Sequence, residues 1–353
     1  MNVNEHEQQV LEALERRRRL KPKLREELVN LAHGAGGKAT HALVEALFLE
    51  ELGNGTGDAA LVSDGLAVTT DAYVVKPLFF PGGDIGELAV NGTVNDLAMV
   101  GAQPLALTAG FVVEEGFPIA DLRRIAASMR RAADAAGVAV VAGDTKVVEL
   151  GKGDGVFVTT TGIGLVERDV ELSSQRVVPG DRVLVSGTIG DHGIAVLVAR
   201  GGLELETDLE SDTAPLNGLV ETLLEAAGPG VRWLRDPTRG GVATTLNELA
   251  LDSELSVVLD ESTLPIRPSV AGACEILGLD ALYVANEGKL VAILAPETAD
   301  VALGAVRGHP LGADAALIGE VRQAPAGMVF LETAFGGSRV VDMLVGDPLP
   351  RIC

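Results

Sequence analysis

Arg235-Asp236-Pro237-Thr238-Arg239-Gly240-Gly241 leads directly into an apolar run at helical spacing, residues 242–251. The paired glycines make a turn and the run behind them makes a helix. The unpaired N–H groups of a helix N-terminus behind such a turn form a ready anion site. Other glycine-containing turns also carry charged residues. Gly143-Asp144-Thr145-Lys146 follows a short strand at 138–142 expected to be buried, and Gly190-Asp191-His192-Gly193 follows a strand at 182–186 and opens a helix. Asn286-Glu287-Gly288-Lys289 lies between two apolar runs read as strands, 281–285 and 290–294. Only seven lysines are present, yet Lys38, Lys146 and Lys289 all lie in or beside such turns, which favours ligand contact over random surface placement.

Upstream, His33-Gly34-Ala35-Gly36-Gly37-Lys38 reads either as a turn or as a phosphate cradle. It is not a Walker A loop, because Lys38 is followed by Ala39. A β-rich run, 66–71, ends on Asp71, and a strand-end acid suits either a turn or a metal. Pro81-Gly82-Gly83-Asp84 begins a helix with Asp84 as N-cap, running to 99–100 and closed by Gly101. Asn91, Asn95 and Asp96 lie inside that helix among small and apolar neighbours, so they either cap something buried or face a ligand. Residues 105–113 and 156–162 read as strands, and Pro118 opens an amphipathic helix to Ala136 with Arg123, Arg124, Arg130 and Arg131 on its wet side. Further strands are expected at 255–259 and 315–321. His192 beside its turn reads as structural, and Cys274, in an Ala-rich helical stretch, as a core residue.

With 353 residues, a prior of roughly 150 residues per domain gives two domains. The pattern loosens at 167–179, where the boundary is placed. The expected organisation is a polar N-terminal extension (1–30), an α/β domain (31–166), an α+β domain (176–345) and a tail (346–353). The basic run Arg16 to Arg19 reads as part of a solvated helical extension in preference to a basic docking arm. Apolar residues are 47% of the chain but aromatics only 3%, so the core is aliphatic. A net charge of −22 argues against nucleic-acid binding. An acidic chain that binds a polyphosphate needs a metal to bridge the two. Cys274 and Cys353 imply no disulfide framework. With no secretory h-region and no apolar run of ~18 residues, no membrane association and a cytoplasmic location are expected.

The chain ends Pro348-Leu349-Pro350-Arg351-Ile352-Cys353. Prolines favour an extended backbone, so this is either a frayed end or a semi-stiff spacer carrying an exposed, reactive thiol. At about 3.3–3.6 Å per residue, 346–353 reaches roughly 25 Å from a hinge near Gly346-Asp347, enough to move between surface and cleft.

Together these signals stand in a specific order. Across about residues 31 to 345 the chain resembles the ATP-binding superfamily of aminoimidazole ribonucleotide synthetase, selenophosphate synthetase and thiamine-phosphate kinase. The resemblance rests on Gly57-Asp58-Ala59-Ala60, Thr70-Asp71, Val94-Asn95-Asp96, Gly101-Ala102-Gln103-Pro104, Gly143 to Lys146 and Asp236 to Gly241. Residues His33 to Lys38, Phe79-Phe80-Pro81-Gly82-Gly83-Asp84 and the Pro-Arg-Ile-Cys ending make it similar to the HypE family of hydrogenase maturation factors. Two departures stand out. Many superfamily members have two adjacent acids where this chain has Gly57-Asp58, and no cysteine precedes Lys38, which counts against selenium chemistry.

The resemblance implies an aminoimidazole ribonucleotide synthetase-like fold, α/β plus α+β, with the N-terminal sheet pairing in a homodimer. It implies ATP bound between Gly-rich loops by Lys38, Asn95, Gly143, Asp144, Thr145, Thr238 and Gly240, and Mg2+ held through phosphate by Asp58, Asp71, Asp96 and Asp236. The implied reaction is ATP-dependent dehydration of an S-carbamoyl group on Cys353 to a thiocyanate, with Glu287 and Lys146 as candidate base or orienting groups. The carbamoyl group would come from the carbamoyltransferase HypF, and the cyanide ligand would pass to iron on a HypC–HypD complex for [NiFe] hydrogenase. Alternatives are a superfamily kinase or synthetase acting on a diffusible small molecule, and a non-catalytic thiol carrier. ATPase activity that depends on carbamoylated Cys353 separates the three.

Overall fold

The computed structural model describes residues 24, 26–53, 59–63, 65–201, 208–344, 346 and 349–353. Asp58, the Arg16 to Arg19 run and Asp347 of the expected hinge lie outside the described residues.

The first half begins with helix α1 (Lys38–Leu43), continued by a π-helical stretch, Val44–Phe48. Strands β1 (Ala60–Ser63) and β2 (Leu66–Tyr73) follow, then the short β3 (Phe79–Phe80) and β4 (Gly83–Asp84). Helix α2 (Ile85–Met99) starts on Asp84, whose carboxylate accepts from the Gly86 and Glu87 N–H groups as the sequence predicts. Strand β5 (Gln103–Glu114), helix α3 (Ile119–Ala136), β6 (Val140–Val148) and β7 (Val156–Leu165) complete a five-stranded sheet of order β1-β2-β7-β5-β6. It is antiparallel except for the β5–β6 pair. Helices α2 and α3 cover one face, with Leu88, Val94, Ile125 and Met129 packed against Leu107 and Val158. The other face bears Thr70, Thr159, Val112 and Ile163 at the surface.

The second half contains β8 (Arg182–Val185), α4 (Asp191–Ala199), α5 (Asn217–Ala227), β9 (Val231–Arg235), α6 (Gly241–Ser253) and β10 (Ser256–Asp260). Then come α7 (Pro268–Leu277), β11 (Val291–Leu294), α8 (Ala299–Gly308), β12 (Ala316–Arg322), β13 (Met328–Glu332) and β14 (Ser338–Val341). The seven-stranded sheet has the order β14-β13-β10-β12-β8-β11-β9. Both faces are apolar: Val183, Val185 and Ile293 meet Val242 and Leu246 of α6, while Leu184 and Leu294 meet Leu219 and Leu223 of α5 and Val306 of α8. A strand buried on both faces shows continuous rather than alternating hydrophobicity, which is why 182–186 and 290–294 are legible.

Two element expectations are corrected. Residues 281–285 are not a strand: Asp280 caps a 3-10 turn, Ala281–Tyr283, by accepting from the Leu282 N–H. The strand expected to stop at 142 runs on through Gly143 to Lys146 and is exposed rather than buried, because β6 is the sheet's edge and, among the described residues, pairs with β5 alone.

Candidate active site

The C-terminal segment lies in the seam between the two halves, alongside the chain just beyond β2. The Val74 N–H donates to the Cys353 carbonyl (3.1 Å) and the Lys76 N–H to the Arg351 carbonyl (3.1 Å). Leu349 and Ile352 are buried, and Cys353 is only 9% exposed. The expectation of an exposed terminal side chain is therefore corrected: the tail carries apolar anchors at Leu349 and Ile352, which gain more by burial than the chain end loses in freedom.

His192, read as structural from sequence, touches the tail directly. Its Nε2 lies 2.9 Å from the Ile352 carbonyl and its Nδ1 2.8 Å from the Ser211 hydroxyl. A carbonyl only accepts, so Nε2 carries the proton and Nδ1 accepts from Ser211. Burial pushes the imidazole pKa down, so the ring is neutral.

Gly240 and Gly241 both occupy left-handed backbone conformations (φ +79° and +61°), and a Cβ on Gly241 would sit 2.5 Å from the Leu282 carbonyl oxygen. Glycine is needed there for both reasons. The resulting tight turn seats Arg239 in the seam. One guanidinium N–H donates to the Gly34 carbonyl (3.2 Å), and a Cβ on Gly36 would stand 2.7 Å from the Arg239 Cβ. The 34–37 loop thus rests on Arg239. Negative charge at Cys353 is the chief influence holding the Arg239 pKa above its usual value; burial opposes it, and Asp71, Glu287 and Tyr73 add to the rise.

Glu287 is buried, and its Oε1 has no hydrogen-bond partner. Burial, then the neighbouring Asp236, Asp212 and Asp71, raise its pKa well above its ordinary value, with Arg239 opposing. Its backbone is fixed on both sides, the N–H donating to Asp212 (3.0 Å) and the carbonyl accepting from Asn95 (3.3 Å). Lys289, two residues on, is taken by Asp212 at 3.0 Å. Tyr73 completes this cluster: burial first, then Asp71, Asp96 and Glu287, raise its phenol pKa well above 10.0. The ring reaches this position because residue 92 is glycine, whose added Cβ would fall 2.1 Å from the Tyr73 hydroxyl.

The sequence-selected residues thus fall into two groups. Cys353, Glu287, Asp71, Asp96 and Asp236 share the seam, where Asp96 accepts from the Thr69 hydroxyl (2.8 Å) and Asp71 from the Ala72 N–H (2.7 Å). Thr238 and Gly240 form the turn beside them, the Thr238 carbonyl accepting from the Gly241 N–H (3.0 Å). Asn95 is tied to the second half's backbone. Its amide donates to Ala214 (3.1 Å) as well as Glu287, and its oxygen accepts from the Leu216 N–H (2.7 Å). Lys38 pairs with Asp342 at 2.7 Å near the seam's outer rim.

Gly143, Asp144, Thr145 and Lys146 lie elsewhere. Asp71, Thr160, Ala109 and Gly143 are in register across β2, β7, β5 and β6. Three strand spacings separate Asp71 from Gly143, about 14 Å. Lys146 pairs with Asp144 at the exposed edge (2.5 Å). Sequence reasoning left Arg239, Tyr73, His192 and Arg200 without a site role. Arg239 was within reach, since it occupies the very turn the motif defines; the role of Arg200 depends on a chain end 150 residues away.

Among the described residues, no three His, Cys, Asp or Glu side chains converge closely enough to hold a metal ion by themselves. No described helix is long and apolar enough to cross a membrane.

The profile of the AIR synthase related protein N-terminal domain matches residues 56–166, and that of its C-terminal domain matches 178–332. The carbamoyl dehydratase HypE of Rhizobium leguminosarum bv. viciae is 54% identical over 332 residues, covering 92% of this chain and 95% of the relative. A solved HypE–HypF complex contains a chain 49% identical, with a TM-score of 0.83, covering 86% of this chain and all of that one. A HypE structure in complex with ATP is 48% identical with a TM-score of 0.79, covering 92% and 100%. A seam that seats a terminal cysteine, on a fold shared along nearly the whole chain at such identity, leads to one assignment: this chain belongs to the AIR synthase related proteins and, within them, to the carbamoyl dehydratase HypE family.

Proposed function

We propose that this chain is an ATP-dependent carbamoyl dehydratase that converts an S-carbamoyl group on its own Cys353 into a thiocyanate. The observation that carries this reading is the seating of the terminal cysteine beside half-buried Arg239, which also faces the buried Glu287. A thiol serving only as a carrier has no use for a buried acid of raised pKa, and an enzyme acting on a diffusible substrate has no use for a terminal cysteine in its seam.

The chemistry follows from the groups. Water cannot leave Cys353-S-C(=O)NH2 until its oxygen becomes part of a better leaving group. The carbamoyl oxygen attacks the γ-phosphorus of ATP; the O–P bond forms, the bond to the ADP oxygen breaks, and one N–H proton is lost. Loss of the second N–H proton with cleavage of the C–O bond releases phosphate and leaves Cys353-S-C≡N. Glu287 is the base. Burial and the neighbouring acids raise its pKa, which makes the carboxylate a stronger proton acceptor than an exposed one. Arg239 stabilises negative charge on the phosphorylated group.

Lys38, Asn95, Thr238 and Gly240 are the proposed ATP contacts from this chain's seam. Gly143, Asp144, Thr145 and Lys146 are about 14 Å across the sheet, so their contribution to a site calls for a second copy of the chain. Among the described residues, the edge of β6 away from β5 pairs with no other strand and one face of the first sheet carries no helix, which supports such a homodimer. Asp71, Asp96 and Asp236, with Asp58, offer the oxygen donors that Mg2+ prefers, and the set is complete only with phosphate oxygens from ATP. When bound, Mg2+ offsets the repulsion between these acids and the phosphates and stabilises charge in phosphoryl transfer.

HypF is the proposed source of the carbamoyl group and the HypC–HypD complex the acceptor of cyanide, in the cytoplasm. The test is the intact mass of the protein after incubation with HypF, carbamoyl phosphate and ATP. One carbamoyl adduct on the C-terminal peptide, followed by loss of water, is expected; an adduct confined to Cys274 overturns the reading. Burial pushes the Cys274 thiol up to about 11, which makes it a poor competitor.

A further inference from the structure

Four consecutive tail carbonyls, 350 to 353, each accept from donors far away in sequence. Arg200 donates to the carbonyls of Pro350 (2.6 Å) and Arg351 (2.6 Å), and the latter also accepts from the Lys76 N–H. His192 takes the Ile352 carbonyl and the Val74 N–H that of Cys353. The same Arg200 side chain donates through Nε to the Lys76 carbonyl (2.7 Å), which ties the tail to the segment just beyond β2 that it lies along. Arg200 sits just past the C-terminus of α4, where a cation is favoured.

The tail's own contribution is Arg351. It adopts a left-handed backbone conformation (φ +56°), unfavourable for a residue with a Cβ. The side chain offsets this by donating to the Val74 carbonyl (3.0 Å) and pairing with Asp154, which also holds Lys76 (3.1 Å). Leu349 adds an apolar anchor against the bare face of Gly193. A backbone in this conformation persists only where its surroundings over-determine it, as these bonds do.

We propose that Arg200, with His192 and the Arg351–Asp154 pair, forms a latch that reads the tail's main chain and holds Cys353 inward for dehydration. These are positioning residues: they act through the tail and touch no reacting atom. The proposal rests on the carbamoyl dehydratase reading for its purpose, but its geometry is independent of that reading.

The test uses the full chain with Arg200→Gln, Arg200→Lys and Asp154→Asn. His192 is left alone because its complete burial puts the fold at risk. The rate of Cys353 alkylation by iodoacetamide is followed by mass on the C-terminal peptide, with Cys274 as internal reference. Losing charge-assisted bonds to two carbonyls should raise the Cys353 rate about tenfold in Arg200→Gln. Arg200→Lys should fall between that and wild type, Asp154→Asn should give a smaller rise, and Cys274 should be unchanged. Single-turnover dehydration of protein carbamoylated in advance should fall by a similar factor in Arg200→Gln, while loading by HypF proceeds at the wild-type rate or faster. Wild-type alkylation of Cys353 in both Arg200→Gln and Asp154→Asn overturns the latch, as does a parallel rise at Cys274, which would report a loosened fold. If the wild-type protein itself never dehydrates a loaded tail, the functional reading falls, and the alkylation ratio still decides the latch.

Discussion

Asp144 and Glu287 carry the same local signature, an acid beside a glycine with a lysine two residues on, and the fold sends them in opposite electrostatic directions. Asp144 stands on the open edge β6 and keeps its own lysine: the hydrogen bond from Lys146 holds its carboxyl below the usual range. Glu287 is buried and has lost its lysine to Asp212, so burial and the surrounding acids push its pKa far up. A carboxylate in the first setting is an ordinary solvated ion. In the second it is a base poised by its surroundings. The type of residue and its neighbours in sequence do not distinguish the two; which group captures the nearby lysine does.

The strongest challenge to this contrast is Cys353→Ala, which removes the group on which the buried site acts. Complete loss of the carbamoyl adduct is expected by intact mass. Thermal stability should change by about 1 kcal/mol or less, the scale of a small side-chain truncation at a chain end.

Glu287→Gln comes next. The shape is kept and the proton acceptor is lost, so single-turnover dehydration should fall by about 10²–10⁴-fold while loading continues. The same variant tests the electrostatics. A carboxyl whose folded pKa is raised contributes stability that is present below the unfolded value of 4.5 and lost as pH rises toward the folded pKa. The glutamine variant should therefore melt higher than wild type at pH 8, with the difference vanishing below pH 4.5. A lower melting point at pH 8 would mean that Glu287 is a satisfied structural acid.

Asp96→Asn should have an intermediate effect. Asparagine can still accept from the Thr69 hydroxyl, so stability should hold within about 1 kcal/mol. Dehydration and ATP affinity should weaken with the lost charge. A wild-type rate on a loaded tail would reduce Asp96 to a helix residue.

Asp144→Asn should do least to the isolated fold, with no measurable shift in melting temperature at any pH, because both partners of its ion pair are largely exposed. Subunit mixing sharpens this end of the comparison. If Lys146 serves a second copy's seam, Lys146→Met and Glu287→Gln proteins, each impaired alone, should regain activity when co-assembled. Mixtures no better than the separate proteins would confine Lys146 to its own edge strand.

Much of the architecture was legible because it depends on near neighbours. Asp84 capping α2 is decided within a turn of chain. The strands show themselves as unbroken apolar runs at 183–185 and 290–294, and the glycines at 240 and 241 announce a backbone that no other residue adopts easily. Residues 281–285 looked like a strand because a short apolar run has no period of its own, and the Asp280 cap settled them into a 3-10 turn. The candidate site was half legible. Its acids and its thiol stand out by type, but Arg200 and Tyr73 carry no mark in the sequence.

By itself the sequence determined the order of elements, the glycine turns, the acid-rich loops and the terminal thiol, because each rests on residues a few positions apart. Only the tertiary structure decided that Cys353 lies inward beside Arg239, that Asp212 captures Lys289, and that Gly143 to Lys146 stay on an outer edge. Those outcomes hang on contacts between groups some 70 to 280 residues apart. Burial and pairing at that range depend on how two sheets and a chain end pack together, and no local pattern encodes them.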